Sequence, residues 1–168
     1  MPWRTVLRNA TLPLELAGWS MGDAESRATE ELRRVRLAKF GARYPHQLSG
    51  GMKMRTSVAR ALTTRPNLLL LDEPFAALDE PTRHSLQMQL REIWLALKMT
   101  VLFVTHSVTE AVFLADRIIV LSQRPAQLLL DQNVALPDDR NAELRTALKY
   151  VDEVRRFTSA VPVSGEPL

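Results

Sequence analysis

Leu68-Leu-Leu-Leu-Asp-Glu-Pro-Phe-Ala-Ala-Leu-Asp79 is the stretch that decides the fold. Leu68 to Leu71 is a short unbroken aliphatic run preceded by Arg65-Pro66-Asn67, and such a run reads as a strand buried on both faces. Pro74 cannot donate to a sheet ladder, so the chain leaves the sheet at Asp72-Glu73. Two adjacent carboxylates then stand at the carboxyl end of an apolar strand, where open α/β sheets bind their ligands. Asp72 can hold Mg²⁺ there, directly or through water, and Glu73 can orient or deprotonate an attacking water. An acidic turn after a buried strand is the plainer reading of the same residues.

Downstream, Pro81 falls in the first turn of a helix expected from 81 to 98, with Leu86, Leu90, Ile93, Trp94 and Leu97 as its apolar stripe. A strand from 100 to 105 follows, with His106 at its carboxyl end. Ser107-Val108-Thr109-Glu110 reads as a capping box opening a helix that runs to about Ala115. Strands are expected at 117–121 and 127–130, in a hairpin about Arg124-Pro125. The alternation of strand and helix predicts an α/β layer with a largely parallel core, and its edge rule gathers Asp72, Glu73 and His106. A last helix is expected from 141 to 158, with Leu144, Leu148, Val151 and Val154 on one face, before a frayed tail from 159 to 168.

Upstream, a helix from 5 to 16 is expected to be interrupted at Pro13, and a second from 22 to 39 opens with acids and closes with bases. Together they form a small helical subdomain. Ser49 can cap a helix from 51 to 64, and Gly50 and Gly51 allow close approach of backbone to a ligand. Free N–H groups at that helix start suit an anion, although for Ser-Gly-Gly by itself an ordinary capped helix with a flexible turn is the favoured reading.

Composition bounds the rest. The 168 residues are 46% hydrophobic and 24% charged, as in a globular domain with one core. No run approaches the length of a membrane span, and the start lacks the order of a secretory signal. The absence of cysteine excludes disulfides and thiolate metal sites, and three scattered histidines argue against zinc. Nine cationic residues and no acid lie between Glu31 and Asp72, so a formal charge of +3 covers a basic middle and an acidic remainder. That segment could meet phosphates, nucleic acid or lipid, or be a solvated helical face. The lack of coiled-coil heptads, and of interleaved aromatics beyond Phe40 and Tyr44, disfavours a nucleic-acid partner.

Four segments taken together resemble the nucleotide-binding subunits of ABC transporters. They are Tyr44-Pro-His-Gln-Leu-Ser-Gly-Gly-Met52, Arg55-Thr-Ser-Val-Ala-Arg-Ala-Leu62, Leu68 to Asp79, and Val104-Thr-His-Ser-Val-Thr-Glu-Ala111. The resemblance runs from about Pro2 to Arg124 and implies part of a P-loop NTPase core with a helical subdomain and a C-terminal helix. It implies ATP and Mg²⁺ as ligands. Ser49, Gly50 and Gly51 match the signature motif, which contacts the γ-phosphate of ATP on the opposite subunit. Asp72 matches the Walker B aspartate near Mg²⁺, Glu73 the catalytic glutamate, Asp79 the D-loop aspartate crossing the dimer interface, and His106 the switch histidine. Met52 stands in place of the usual glutamine and Ser107 in place of a frequent aspartate.

A finer resemblance, through Pro2-Trp-Arg-Thr-Val6, the Gly-Gly-Met signature and Phe113 to Leu121, points to the importer ATPases for nitrate, sulfonates and taurine. It implies transmembrane permease subunits, a homodimer or second ATPase subunit, an indirect link to a periplasmic or extracellular binding protein, and a cytoplasmic, membrane-peripheral location. The expected division is a permease-docking subdomain over 1–45, the C-terminal part of the ATPase core over 46–131, and a helical extension over 132–168. None of the six glycines is followed by lysine, so no phosphate loop is present, and the Q-loop glutamine is missing as well. Met1 is therefore read as an internal residue or misplaced start, and the chain alone is expected neither to bind ATP tightly nor to hydrolyse it. The alternative is a non-catalytic module that docks on a permease or completes the site of an intact partner.

Overall fold

The computed structural model describes residues 1–161 and divides into two compact units, Met1–Leu102 and Phe103–Leu168. Most of the expected frayed tail, 162–168, lies outside the described residues.

In the first unit, helix α1 spans Val6–Leu16, capped by Thr5, whose Oγ1 accepts from Arg8 N at 3.2 Å. It runs through Pro13 rather than stopping there. The ring removes one N–H from the ladder, and packing of Val6, Ala10 and Leu14 into the core holds the helix continuous despite that loss. Helix α2, Met21–Arg34, opens on Ser20 with Asp23 in its first turn and closes on Arg33 and Arg34. It ends before the expected Lys39, because Arg36 turns left-handed at φ 59°. Two short 3₁₀ turns, Ala38–Phe40 and Pro45–Gln47, lead to α3, Gly50–Leu62. Val6, Ala28, Leu32, Leu37, Val58 and Leu62 are buried in the core these three helices share.

Strand β1, Leu68–Asp72, is followed by α4, Glu80–Leu97, and β2, Thr100–Val104. β1 and β2 are hydrogen-bonded neighbours in a two-stranded parallel sheet. The expected burial of 68–71 on both faces is corrected: Leu69 is buried, but Leu68 and Leu70 are 51% and 65% exposed. Side chains alternate along a strand, and the core lies only on the Leu69 and Leu71 side. On α4, Leu86, Leu90 and Ile93 are buried as expected, whereas Leu97 at the helix end is exposed. α4 stops where Lys98 adopts a left-handed φ of 51°, and Trp94 Nε1 donates to the Met99 carbonyl at 2.7 Å.

The second unit holds helix α5, Val108–Leu114, strand β3, Arg117–Leu121, strand β4, Leu128–Asn133, and helix α6, Leu148–Thr158. β3 pairs with β4 in a separate antiparallel sheet, Ile119 opposite Asp131 and Leu121 opposite Leu128, with an irregularity between Val120 and Leu121. The single helix expected over 141–158 is instead a 3₁₀ turn, Glu143–Thr146, then an extended Ala147 at ψ 138°, then α6. That break resets the helical phase. Tyr150, Glu153 and Phe157 face inward, and Leu148, expected in the stripe, is 80% exposed. Among the described residues no helix is long and apolar enough to cross a membrane.

Candidate functional site

Ser49 is the N-cap of α3. Its backbone is extended at φ −65° and ψ 164°, and its Oγ accepts from Met52 N at 3.3 Å. The turn before it is fixed by Tyr44 N donating to Gln47 Oε1 at 2.9 Å and by the Tyr44 and His46 rings stacked 5.8 Å apart. Gly50 and Gly51 are required by what lies beside them. A Cβ on Gly50 would stand 3.0 Å from Leu78 Cδ2, and one on Gly51 would stand 2.9 Å from Thr82 Cγ2 and 3.1 Å from Leu86 Cδ1. The glycines thus let the start of α3 lie directly against the loop and first turns of α4, bringing Ser49–Gly51 beside the Asp79 segment.

Asp79 is the N-cap of α4, with Oδ2 accepting from Thr82 N at 3.1 Å. Its carboxyl is held below the usual carboxylate value by hydrogen bonds from the Thr82 side chain and backbone. Between β1 and Asp79 the chain makes a compact turn: Ala76 N donates to Glu73 O at 3.2 Å, Leu78 N to Phe75 O at 3.1 Å, and Phe75 is fully buried.

Asp72 closes β1 and is exposed, as is Glu73. Glu73 has a left-handed φ of 40°. Pro74 disfavours the right-handed helical region for the residue before it, and the turn leaves Glu73 in the left-handed one. For a non-glycine residue this costs about 1–2 kcal/mol. The pair supplies hard oxygen donors suited to Mg²⁺, an ion that takes one or two carboxylates and leaves its other positions to phosphate and water. Among the described residues no cluster of three or more His, Cys, Asp or Glu forms an all-protein metal cage.

His106 belongs to the second unit and is exposed two residues beyond the end of β2. Its neighbours form a closed relay. Thr105 Oγ1 donates to Glu110 Oε2 at 2.7 Å and accepts from Ser107 N at 3.0 Å, while Ser107 Oγ accepts from Glu110 N at 3.3 Å. The expected capping box is therefore modified: Glu110 reaches the Ser107 N–H through the Thr105 hydroxyl rather than directly. Thr105 carried no signal in the sequence, because its role depends on the bend of the chain at His106.

The fold is that of ABC ATPase domains, of the P-loop NTPase class. The ABC transporter family profile matches residues 1–76. An uncharacterized ABC transporter ATP-binding protein of Methanocaldococcus jannaschii is 45% identical over 152 residues, 90% of this chain and 56% of that protein. The taurine import ATP-binding protein TauB of Rhizobium johnstonii is 44% identical over 129 residues, 77% of this chain and 49% of its own. The nitrate import ATP-binding protein NrtD of Synechocystis sp. is 39% identical over 164 residues, 98% and 62% respectively.

Among solved structures, a dimeric ATP-binding cassette in a post-hydrolysis state bound to ADP and Pi superposes with a TM-score of 0.67 at 31% identity, over 82% of this chain and 60% of that one. An ABC transporter in an inward-facing conformation shares the fold, with a TM-score of 0.69 at 24% identity, over 76% of this chain and 52% of that one. The chain belongs to the ABC transporter ATP-binding family. It spans between 49% and 62% of the length of these curated relatives.

Proposed function

We propose that the chain supplies the signature and acidic segments of a composite ATP site in an importer of small anions such as taurine, sulfonates or nitrate. Ser49, Gly50 and Gly51 face nucleotide held by an opposing subunit, and Asp79 lies at the interface between the two. Asp72 holds Mg²⁺, which when bound neutralises phosphate charge; Glu73 orients the attacking water; His106 senses the γ-phosphate. Phosphoryl transfer depends mainly on positioning and charge stabilisation, so residues fixed by caps and close packing suit it. The observation that carries the reading is the contact of Gly50 and Gly51 with Leu78 and Thr82, which makes the signature turn and the Asp79 segment one surface. The phosphate cradle comes from outside these 168 residues, none of whose glycines precedes a lysine.

The names of the taurine and nitrate relatives support an import role and a small anionic cargo. The dimeric neighbour supports a paired arrangement, with a second ATPase subunit or a second copy. Residues 1–45 are the segment that docks on transmembrane permease subunits at the inner face of the membrane, served by a periplasmic or extracellular binding protein. Trp3 at 72% and Leu16 at 80% exposure, with Trp19 beside them in sequence, give that segment an apolar surface to bury.

The test mixes the purified protein with a taurine importer ATP-binding subunit that retains its phosphate loop but has lost its own signature serine. Restored Mg·ATP hydrolysis that falls at least tenfold with Ser49→Arg in this chain is the expected result. A rate indifferent to both the added chain and Ser49→Arg overturns the assignment.

A further inference from the structure

Helix α5 has only seven residues, Val108–Leu114, far too few to be stable by itself. Two side chains from the C-terminal segment hold it at both ends. At its start, Tyr150 Oη donates to the Thr109 carbonyl at 2.9 Å, and the Tyr150 ring meets Phe113 edge-on at 6.4 Å. At its end, the Arg140 guanidinium, 1% exposed, donates through Nη1 to the carbonyls of Val112 at 3.0 Å, Phe113 at 3.1 Å and Ala115 at 2.8 Å. Nη2 reaches Asp116 Oδ1 at 3.3 Å and Nε the Pro137 carbonyl at 2.9 Å.

Those carbonyls are the ones a helix terminus leaves without partners, and a buried cation there also complements the helix dipole. Glu153 secures the same segment by accepting from Ala135 N at 3.1 Å. The held helix in turn carries Glu110, and Glu110 closes the Thr105–Ser107 relay on either side of His106.

We propose that Arg140 and Tyr150 are positioning residues for His106, acting through α5 and the Glu110–Thr105–Ser107 relay, so that the segment from 136 to 158 sets the orientation of the histidine. The proposal rests on reading His106 as the residue that meets the nucleotide. Arg140 gives α5 a fixed C-terminal end, Tyr150 fixes its first turn, and the relay transmits that placement to the peptide on each side of the imidazole. Loss of either clamp frees the relay without touching the histidine itself.

The test is NMR of the nucleotide-free protein, wild type against Tyr150→Phe and Arg140→Met. The His106 Cε1–H resonance is followed with those of His46 and His84, and amide exchange is measured at Ser107, Glu110 and the β3–β4 hairpin. The expected result is a shifted or broadened His106 resonance and about tenfold faster exchange at Ser107 and Glu110, with His46, His84 and the hairpin amides unchanged. An unmoved His106 resonance, or hairpin amides that accelerate in step with Ser107 and Glu110, overturns the proposal. Tyr150→Phe removes one hydroxyl and keeps the ring, so it remains decisive if Arg140→Met fails to fold. Failure of the ATP-site reading is separate: it appears as hydrolysis in the mixed complex that is indifferent to the added chain and to Ser49→Arg.

Discussion

Gly51 lies so close to Thr82 that a Cβ at Gly51 would stand 2.9 Å from the Thr82 Cγ2 methyl, well inside van der Waals contact. Thr82 is β-branched and its N–H is bonded to Asp79, so it has little freedom to retreat. Gly51→Ala therefore destabilises the chain by about 1–3 kcal/mol through overpacking. Gly22, also in the first turns of a helix, has nothing within 4 Å of its Cβ position, and Gly22→Ala is neutral or mildly stabilising. Urea unfolding of the two variants checks the contrast, and equal midpoints would remove the packing argument.

Glu73 bears backbone strain that a different side chain relieves. Asparagine visits the left-handed region more readily than glutamate, so Glu73→Asn raises unfolding free energy by about 0.5–1 kcal/mol. On the proposed function Glu73 serves the nucleotide of its own subunit and Ser49 that of the opposing one, so the same change leaves unaltered the hydrolysis that Ser49 restores on the partner's phosphate loop in the mixed complex. A variant no more stable than wild type would remove the strain argument.

The sequence made the local features legible and left the distant ones hidden. Ser49 and Asp79 are caps recognisable from their own neighbours, and the strand ending at Asp72 follows from four aliphatics and a proline. The passage of α1 through Pro13 depends on packing against α2 and α3, and no residue near Pro13 announces it. The exposure of Leu68 and Leu70 goes against the burial on both faces read from the run, since four aliphatics do not by themselves say how many of their faces meet a neighbour. Arg140 sits in a polar stretch, Pro-Asp-Asp-Arg-Asn, that reads as a solvated loop. Its burial arises only because α5 ends 25 to 28 residues earlier with carbonyls to satisfy.

Arg27 performs in the first unit a capping role like that of Arg140. Its Nη2 donates to the Leu62 carbonyl at 3.0 Å and its Nε to that of Thr63 at 3.2 Å, closing the end of α3. Its Nη1 pairs with Glu31, 1% exposed, at 2.7 Å. Arg27→Met leaves Glu31 with Arg34 at 3.0 Å but removes the cap and half the compensation of a buried charge. A loss of about 2–4 kcal/mol follows. The exposed partner Glu30 offers the control, because Glu30→Gln breaks only its solvent-screened pairs with Arg27 and Arg34 and leaves the unfolding midpoint unchanged. Similar losses in both variants would contradict the capping role.

Burial pushes the Tyr150 phenol above its ordinary value of 10.0, against the opposing pull of Arg145. The folded state thus favours the protonated phenol, the form that donates to the Thr109 carbonyl. A group whose folded pKa is raised contributes stability that is complete below the unfolded pKa and is lost as pH rises through the folded one. Tyr150 therefore adds an alkaline loss of stability that begins near pH 10 and deepens above it. Tyr150→Phe cannot ionise, so its stability is lower than that of wild type at pH 8, where the hydrogen bond is intact, and falls less steeply beyond pH 10. Urea midpoints followed by circular dichroism from pH 8 upward measure both slopes. The two curves converge if the phenol titrates in place, and parallel curves across the whole range would show that Tyr150 takes no part in the alkaline transition.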